Sequence, residues 1–141
     1  MNAGHPLRPS MVGAVAVGGA AGALLRYALT LAFPDPSAGF PWTIFAVNVV
    51  GAGVLALLPA FAVVRRRELL PPLLGTGVLG GFTTLSTYSE QTRELVAHGR
   101  PGLAASYVVG TLAACLLAVA GADRFSTAAA RAEFDREEGD E

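Results

Sequence analysis

Gly80-Gly81-Phe82-Thr83-Thr84 sits inside a run, Leu69 to Ser89, that carries no charged residue. A hydrocarbon core about 30 Å thick is crossed by roughly 20 apolar helical residues, and the run has that length. Each glycine of the pair weakens a helix by about 1 kcal/mol relative to alanine, and the threonines offer hydroxyls that compete for the backbone. The quintet therefore predicts a membrane-spanning helix broken near 80–84. Lipid tolerates such a break only where it lines a cavity, and the freed carbonyls and N–H groups commonly hold an ion. If the helix resumes at Thr83, then Thr83, Thr87, Glu90 and Glu94 form one polar stripe, Ser86 and Ser89 a second polar line, and Leu85 and Tyr88 another face. A half-helix so polar must face protein or water.

Working outward, three further runs have spanning length. Met11 to Phe33 holds one charge, Arg26, while Trp42 to Val64 and Leu103 to Ala122 hold none. With 52% hydrophobic and 15% charged residues and a mean hydropathy of +0.50, the chain is too apolar for a soluble domain of its size. The expectation is an all-α membrane protein of four transmembrane helices with a broken third: a disordered lead-in over 1–10, spans at about 11–33, 42–64, 69–97 (broken near 80–84) and 103–122, and an acidic, disordered tail over 123–141. The first run outlasts the h-region of a secretory signal and is read as a retained helix. A single cysteine, Cys115, excludes an intrachain disulfide.

All ten basic residues are arginines. With four spans, the side that carries both termini and the second connection holds Arg8, Arg65, Arg66, Arg67, Arg124, Arg131 and Arg136; the other holds Arg93 and Arg100. Seven against two places both termini in the cytoplasm of a multi-pass plasma-membrane protein. Small residues at close-packing spacing (Gly18 and Gly22, Gly77 and Gly81, Gly51 and Gly110) predict tight helix approaches, and so small a bundle predicts oligomerisation.

Polar groups elsewhere in the spans complete the candidate site. Asn48 stands in an apolar stretch, where its amide must find partners. Tyr107 and Thr111, four apart, place two hydroxyls on one helix face. Arg26 lies toward the far end of the first run and can snorkel to the interface. Together with the break they are rich in donors and poor in acids, which suits an anion. No constellation of His, Cys and Asp lies in a span to form a catalytic or metal centre, so the chain reads as no enzyme. A small multidrug exporter needs an acid in the first span, and Met11 to Phe33 has none.

Gly80-Gly81-Phe82-Thr83-Thr84-Leu85-Ser86-Thr87-Tyr88-Ser89 resembles the G-G-x-T-T-F-S-T-F-S motif of the Fluc/CrcB fluoride channels. Gly22-Ala23-Leu24-Leu25-Arg26-Tyr27 resembles that family's G-A-x-x-R-Y, Val47-Asn48-Val49-Val50-Gly51 its V-N-x-x-G, and Tyr107-Val108-Val109-Gly110-Thr111 its Y-x-x-x-S. The resemblance implies an antiparallel, dual-topology dimer that passes fluoride out of the cytoplasm, with a structural sodium ion at its centre. It would assign the sodium-binding carbonyls to Gly80 and Thr83. The fluoride pathway would take Asn48, Leu85, Ser86, Thr87, Tyr88, Tyr107 and Thr111, and the vestibule Arg26. The implied partners are fluoride, the lipid bilayer and a second subunit, with no nucleic acid. Leu85 and Tyr88 replace the family's two Phe residues, Glu90 follows Tyr88 by two residues instead of three, and Ile44 stands where the family has Thr. The charge bias favours one orientation, so the second subunit is expected to be an inversely inserted paralogue, with a homodimer as the alternative.

Overall fold

A computed structural model describes residues 8–36 and 38–139, with side chains to Ser126. Most of the expected lead-in, 1–7, lies outside the described residues, as does the tail beyond 139. Among the described residues every regular element is helical: α1 Pro9–Ala32, α2 Trp42–Leu57, α3 comprising Pro72–Leu79 and Gly80–Phe82, α4 Ser86–Ala97, and α5 Pro101–Gly139. By length and composition three helices can cross a membrane, Pro9–Ala32, Trp42–Ala60 and Pro101–Ser126. Most of their surface is unburied and apolar, as membrane-embedded helices require.

Each helix end has a local cause. Pro9 starts α1, where its missing N–H costs nothing. Asp35 Oδ1 accepts the Thr43 N–H at 3.1 Å, and the Thr43 hydroxyl meets the Phe33 carbonyl at 2.6 Å, so the proline-rich connection is stapled to the first turn of α2. The second span does not run unbroken to Val64 as expected. Pro59 tightens it into a 3₁₀ turn, Leu58–Ala60, and extended Phe61 separates that from a short helix, Ala62–Arg65. Gly99 ends α4 at φ 73°, with its own N–H on the Val96 carbonyl and the Arg100 N–H on the Leu95 carbonyl. Alanine there must hold a left-handed conformation costing about 1–2 kcal/mol. Gly99→Ala is therefore expected to lower the melting temperature in detergent by a few degrees.

The third run winds differently from expectation. Pro72–Leu79 is π-helical, wide by one residue per turn, and α geometry returns only at Gly80–Phe82. Tight seating against α1 accompanies this winding. A β-carbon on Gly18 would stand 2.3 Å from the Leu73 carbonyl oxygen, one on Gly22 2.0 Å from that of Val78, and one on Gly81 2.2 Å from that of Gly19. The expected approach through Gly18, Gly22, Gly77 and Gly81 is thus the contact between α1 and α3. Gly51 lies against Thr83, whereas Gly110 meets no atom within 4 Å of its ideal β-carbon.

The second layer packs α2 and α4 on α5. Its core is Leu95, Ala104 and Tyr107, with Phe40, Phe45 and Tyr88 around them. α5 does not stop near Ala122. Its backbone stays helical to Gly139, through Ser126-Thr127-Ala128-Ala129-Ala130-Arg131-Ala132-Glu133, because alanine, arginine and glutamate are strong helix formers. The disordered tail expected over 123–141 thus has helical backbone as far as Gly139.

Candidate functional site

The break falls at Thr83, Thr84 and Leu85, and the chain resumes as helix at Ser86 rather than at Thr83. Thr83 is extended, at φ −75° and ψ 156°, and its N–H and hydroxyl both donate to the Leu79 carbonyl at 3.0 Å. The expected stripe therefore loses its first member to the break; Thr87, Glu90 and Glu94 alone stand on α4.

Opening a helix inside an apolar bundle frees backbone groups that must be paired. Two side chains from other helices do this. Asn48 on α2 reaches Thr84 twice: the Thr84 N–H donates to Asn48 Oδ1 at 2.9 Å, and Asn48 Nδ2 donates to the Thr84 carbonyl at 3.1 Å. Arg26 on α1 directs Nε to the Gly81 carbonyl at 3.4 Å. Arg26 is half-buried against the break rather than held only at a headgroup layer, because the freed carbonyl lies within reach of its guanidinium. A third pairing is local. The Thr84 hydroxyl accepts the Thr87 N–H at 3.2 Å, capping α4, and lies 3.1 Å from Ser86 Oγ and 3.2 Å from Thr87 Oγ1.

The Gly80 and Thr83 carbonyls accept no hydrogen bond from the described residues. They stand at the C-terminal end of α3, where the helix dipole is negative, and Gly80 is exposed.

Beside the break lies an open cleft of about 360 Å³ among α2, α4 and α5, lined by Asn48, Thr83, Thr84, Leu85, Tyr88, Thr111 and Cys115 with other small and apolar residues. Thr111 is 5% exposed and its hydroxyl has no partner among the described residues. An unpaired buried hydroxyl costs about 1–3 kcal/mol, which sets Thr111 apart from the other polar side chains beside the break. Leu85 is 75% exposed, and Ser86 is exposed with it.

Not every expected residue lies here. Tyr107 is fully buried, edge-on to Phe40 and 5.0 Å from the Tyr88 ring, and its hydroxyl donates to Gln91 Oε1 at 2.9 Å. It braces α5 against α4 instead of lining the cleft with Thr111, because Phe40, Phe45 and Tyr88 pack around it. Tyr88 keeps its ring at the cleft while its hydroxyl donates to the Val108 carbonyl at 3.0 Å. Cys115, to which the sequence assigns no role beyond packing, lines the cleft one turn beyond Thr111; the four-residue step from Thr111 is the signal for it.

Three long apolar helices and a break whose backbone is paired by side chains from the neighbouring helices define an integral membrane protein. Residues 13–122 match the family described as "CrcB-like protein, Camphor Resistance (CrcB)", and the chain belongs to it. Curated relatives agree. The chain is 46% identical over 111 residues to "Fluoride-specific ion channel FluC 1" of Streptomyces coelicolor, covering 77% of this chain and 72% of that one. It is 45% identical over 132 residues to "Fluoride-specific ion channel FluC 2" of Nocardia farcinica, covering 89% and 94%. With "Fluoride-specific ion channel FluC 1" of Mycobacterium tuberculosis it shares 50% over 113 residues, covering 75% and 82%.

Proposed function

We propose that this chain is a subunit of a fluoride-selective channel through which fluoride leaves the cytoplasm passively. The observation that carries the reading is the buried hydroxyl of Thr111, unpartnered among the described residues, on a residue that lines the same cleft as the break and Asn48. Fluoride is small and strongly hydrated, so a path for it must supply donors as water leaves without holding the ion fast. Asn48 spends one Nδ2 hydrogen on Thr84 and keeps a second; Thr111, Thr87 and Ser86 add hydroxyls. Leu85 and Tyr88 form the apolar side of the path, and Tyr107 supports α5 behind it. Arg26 contributes a fixed positive charge beside the break, which draws an anion toward it.

In this reading α3 and α4 cross the bilayer in series as the span interrupted at 83–85, giving four spans with both termini in the cytoplasm of the plasma membrane. A second subunit in inverted orientation completes the path. The Gly80 and Thr83 carbonyls would hold a structural sodium ion together with their counterparts. That ion supplies a fixed positive potential at the centre of the dimer.

Thr111→Val tests the assignment because the two roles of the hydroxyl move in opposite directions. Removing an unsatisfied polar atom leaves thermal stability unchanged or slightly higher. Losing a donor to an anion, about 1.5–3 kcal/mol, lowers fluoride efflux from liposomes by roughly 10- to 100-fold. Efflux equal to that of the parent chain removes Thr111 from the path.

A narrower reading concerns the second subunit. Arg8, Arg65, Arg66 and Arg67 lie at one end and Arg93 and Arg100 at the other, which favours a single insertion and hence an inversely inserted paralogue. Streptomyces avermitilis contributes two of the relatives, "FluC 2" and "FluC 3", so one genome can hold more than one such chain. Robust fluoride efflux from liposomes that contain this chain alone overturns the paralogue pairing and leaves the channel reading in place.

A further inference from the structure

The contacts between α4 and α5 follow one another in order away from the connection at 98–100. Leu95 and Ala104 share the core, Gln91 accepts the Tyr107 hydroxyl at 2.9 Å, and the Val108 carbonyl accepts the Tyr88 hydroxyl at 3.0 Å. Tyr88 is in the first turn of α4, so this bond is the last of the series before the chain opens at 83–85. α5 runs on past it, and Thr111, Leu112 and Cys115 line the cleft with Tyr88. The cleft therefore begins where the pairing of α4 with α5 ends.

The bond at that boundary restricts both the ring and the helix. An aromatic side chain reorients by hops about χ1 and by turns about χ2. A hydroxyl held at the far end of the ring permits the turn, which leaves the oxygen in place, and opposes the hop, which would carry the oxygen away from Val108. The carbonyl can hold it without loss to α5, because a helical carbonyl has a second lone pair. Tyr107 packs against the same ring at a centroid distance of 5.0 Å and is itself edge-on to Phe40 at 5.3 Å. The first turn of α4 cannot splay from α5 unless the Tyr88 bond breaks. Phenylalanine, which the family motif has at this position, would put a ring here with no group to tie it down.

We propose that the Tyr88 hydroxyl is a positioning group: by tying α4 to the Val108 carbonyl it fixes the opening of the cleft, and so sets how strongly the path prefers fluoride to a larger halide. The proposal rests on the fluoride-channel reading above and deepens it. Chloride is larger than fluoride and more weakly hydrated, so an opening of fixed width, lined by donors, favours the smaller ion. Added width helps the larger ion more, and preference is lost before throughput is.

Liposomes loaded with equal fluoride and chloride, holding the purified full chain alone or with the paralogue that makes it conduct, provide the test. Tyr88→Phe keeps the ring and removes only the oxygen. The ratio of chloride to fluoride released is expected to rise about fivefold, the weight of one net hydrogen bond, with fluoride release no slower than in the parent. Tyr88→4-aminophenylalanine returns a donor to the same reach and should keep the parent ratio. A hydroxyl that only stabilised α4 on α5 would lower the melting temperature of Tyr88→Phe and leave the ratio alone. The proposal is overturned by an unchanged ratio in Tyr88→Phe where the parent prefers fluoride, or by an amino variant that leaks chloride as Tyr88→Phe does. A parent chain that releases both halides alike, or neither in any pairing, overturns the channel reading itself and this proposal with it.

Discussion

Gly22→Ala is expected to separate the first helix from the broken one and to leave little folded protein. The added carbon would stand 2.0 Å from the Val78 carbonyl oxygen, 2.8 Å from the Phe82 nitrogen and 2.9 Å from the Val78 carbonyl carbon. All three are backbone atoms, so no side-chain rotation relieves the overlap and the helices must move apart along their seam. Overpacking of this kind costs upward of about 3 kcal/mol, a large part of a small domain's stability. The same shift draws Arg26, one turn along α1, away from the Gly81 carbonyl. Gly13→Ala is the control, since nothing lies within 4 Å of its β-carbon. Monodisperse yield in detergent should fall sharply for the first variant and hold for the second. Equal yields would mean that α1 and α3 are not seated as described.

The second large effect belongs to Asn48. Alanine there strands the Thr84 N–H and carbonyl together, and each unpaired buried group costs about 1–3 kcal/mol. Asn48→Asp separates structure from conduction. A carboxylate still accepts the Thr84 N–H, but it cannot donate to the carbonyl and it repels an anion. The alanine variant is expected to lose both thermal stability and fluoride efflux. In the aspartate variant more of the stability than of the efflux should survive. Unchanged efflux in a folded Asn48→Ala chain would show that Asn48 neither holds the break nor meets the ion.

Much of this architecture is legible in the sequence because the bilayer constrains it so strongly. The runs from Met11, Trp42 and Leu103 stand out because a helix in lipid must stay apolar for about 20 residues. Gly80-Gly81 followed by two threonines locates the break to within a few residues. Its placement at 83–85 is less legible, since it depends on partners distant in sequence. Gly81 is pressed against the Gly19 backbone, which keeps Gly80–Phe82 helical, and Asn48 takes the backbone of Thr84 only once α2 lies beside it. Tyr107 shows the same limit. Its spacing to Thr111 puts both on one side of α5, but Phe40 and Gln91 come from elsewhere in the chain to enclose it. Arg26 could reach either a headgroup or a carbonyl by length alone, and the carbonyl exists only because the helix opens there.

The bonds on either side of the break suggest how conduction and stability are divided. Asn48, Arg26 and the Thr84 hydroxyl close most of the groups that the opening frees. The Gly80 and Thr83 carbonyls and the Thr111 hydroxyl remain without protein partners among the described residues. These are the groups the proposed function gives to ions, the carbonyls to a cation and the hydroxyl to an anion.

The most direct measurement of that function is halide selectivity in liposomes loaded with equal fluoride and chloride, containing the purified chain alone or together with a paralogue. Release of fluoride with chloride retained, lost on Asn48→Ala, is the predicted result. Release of both halides together, or of neither in any pairing, would contradict it.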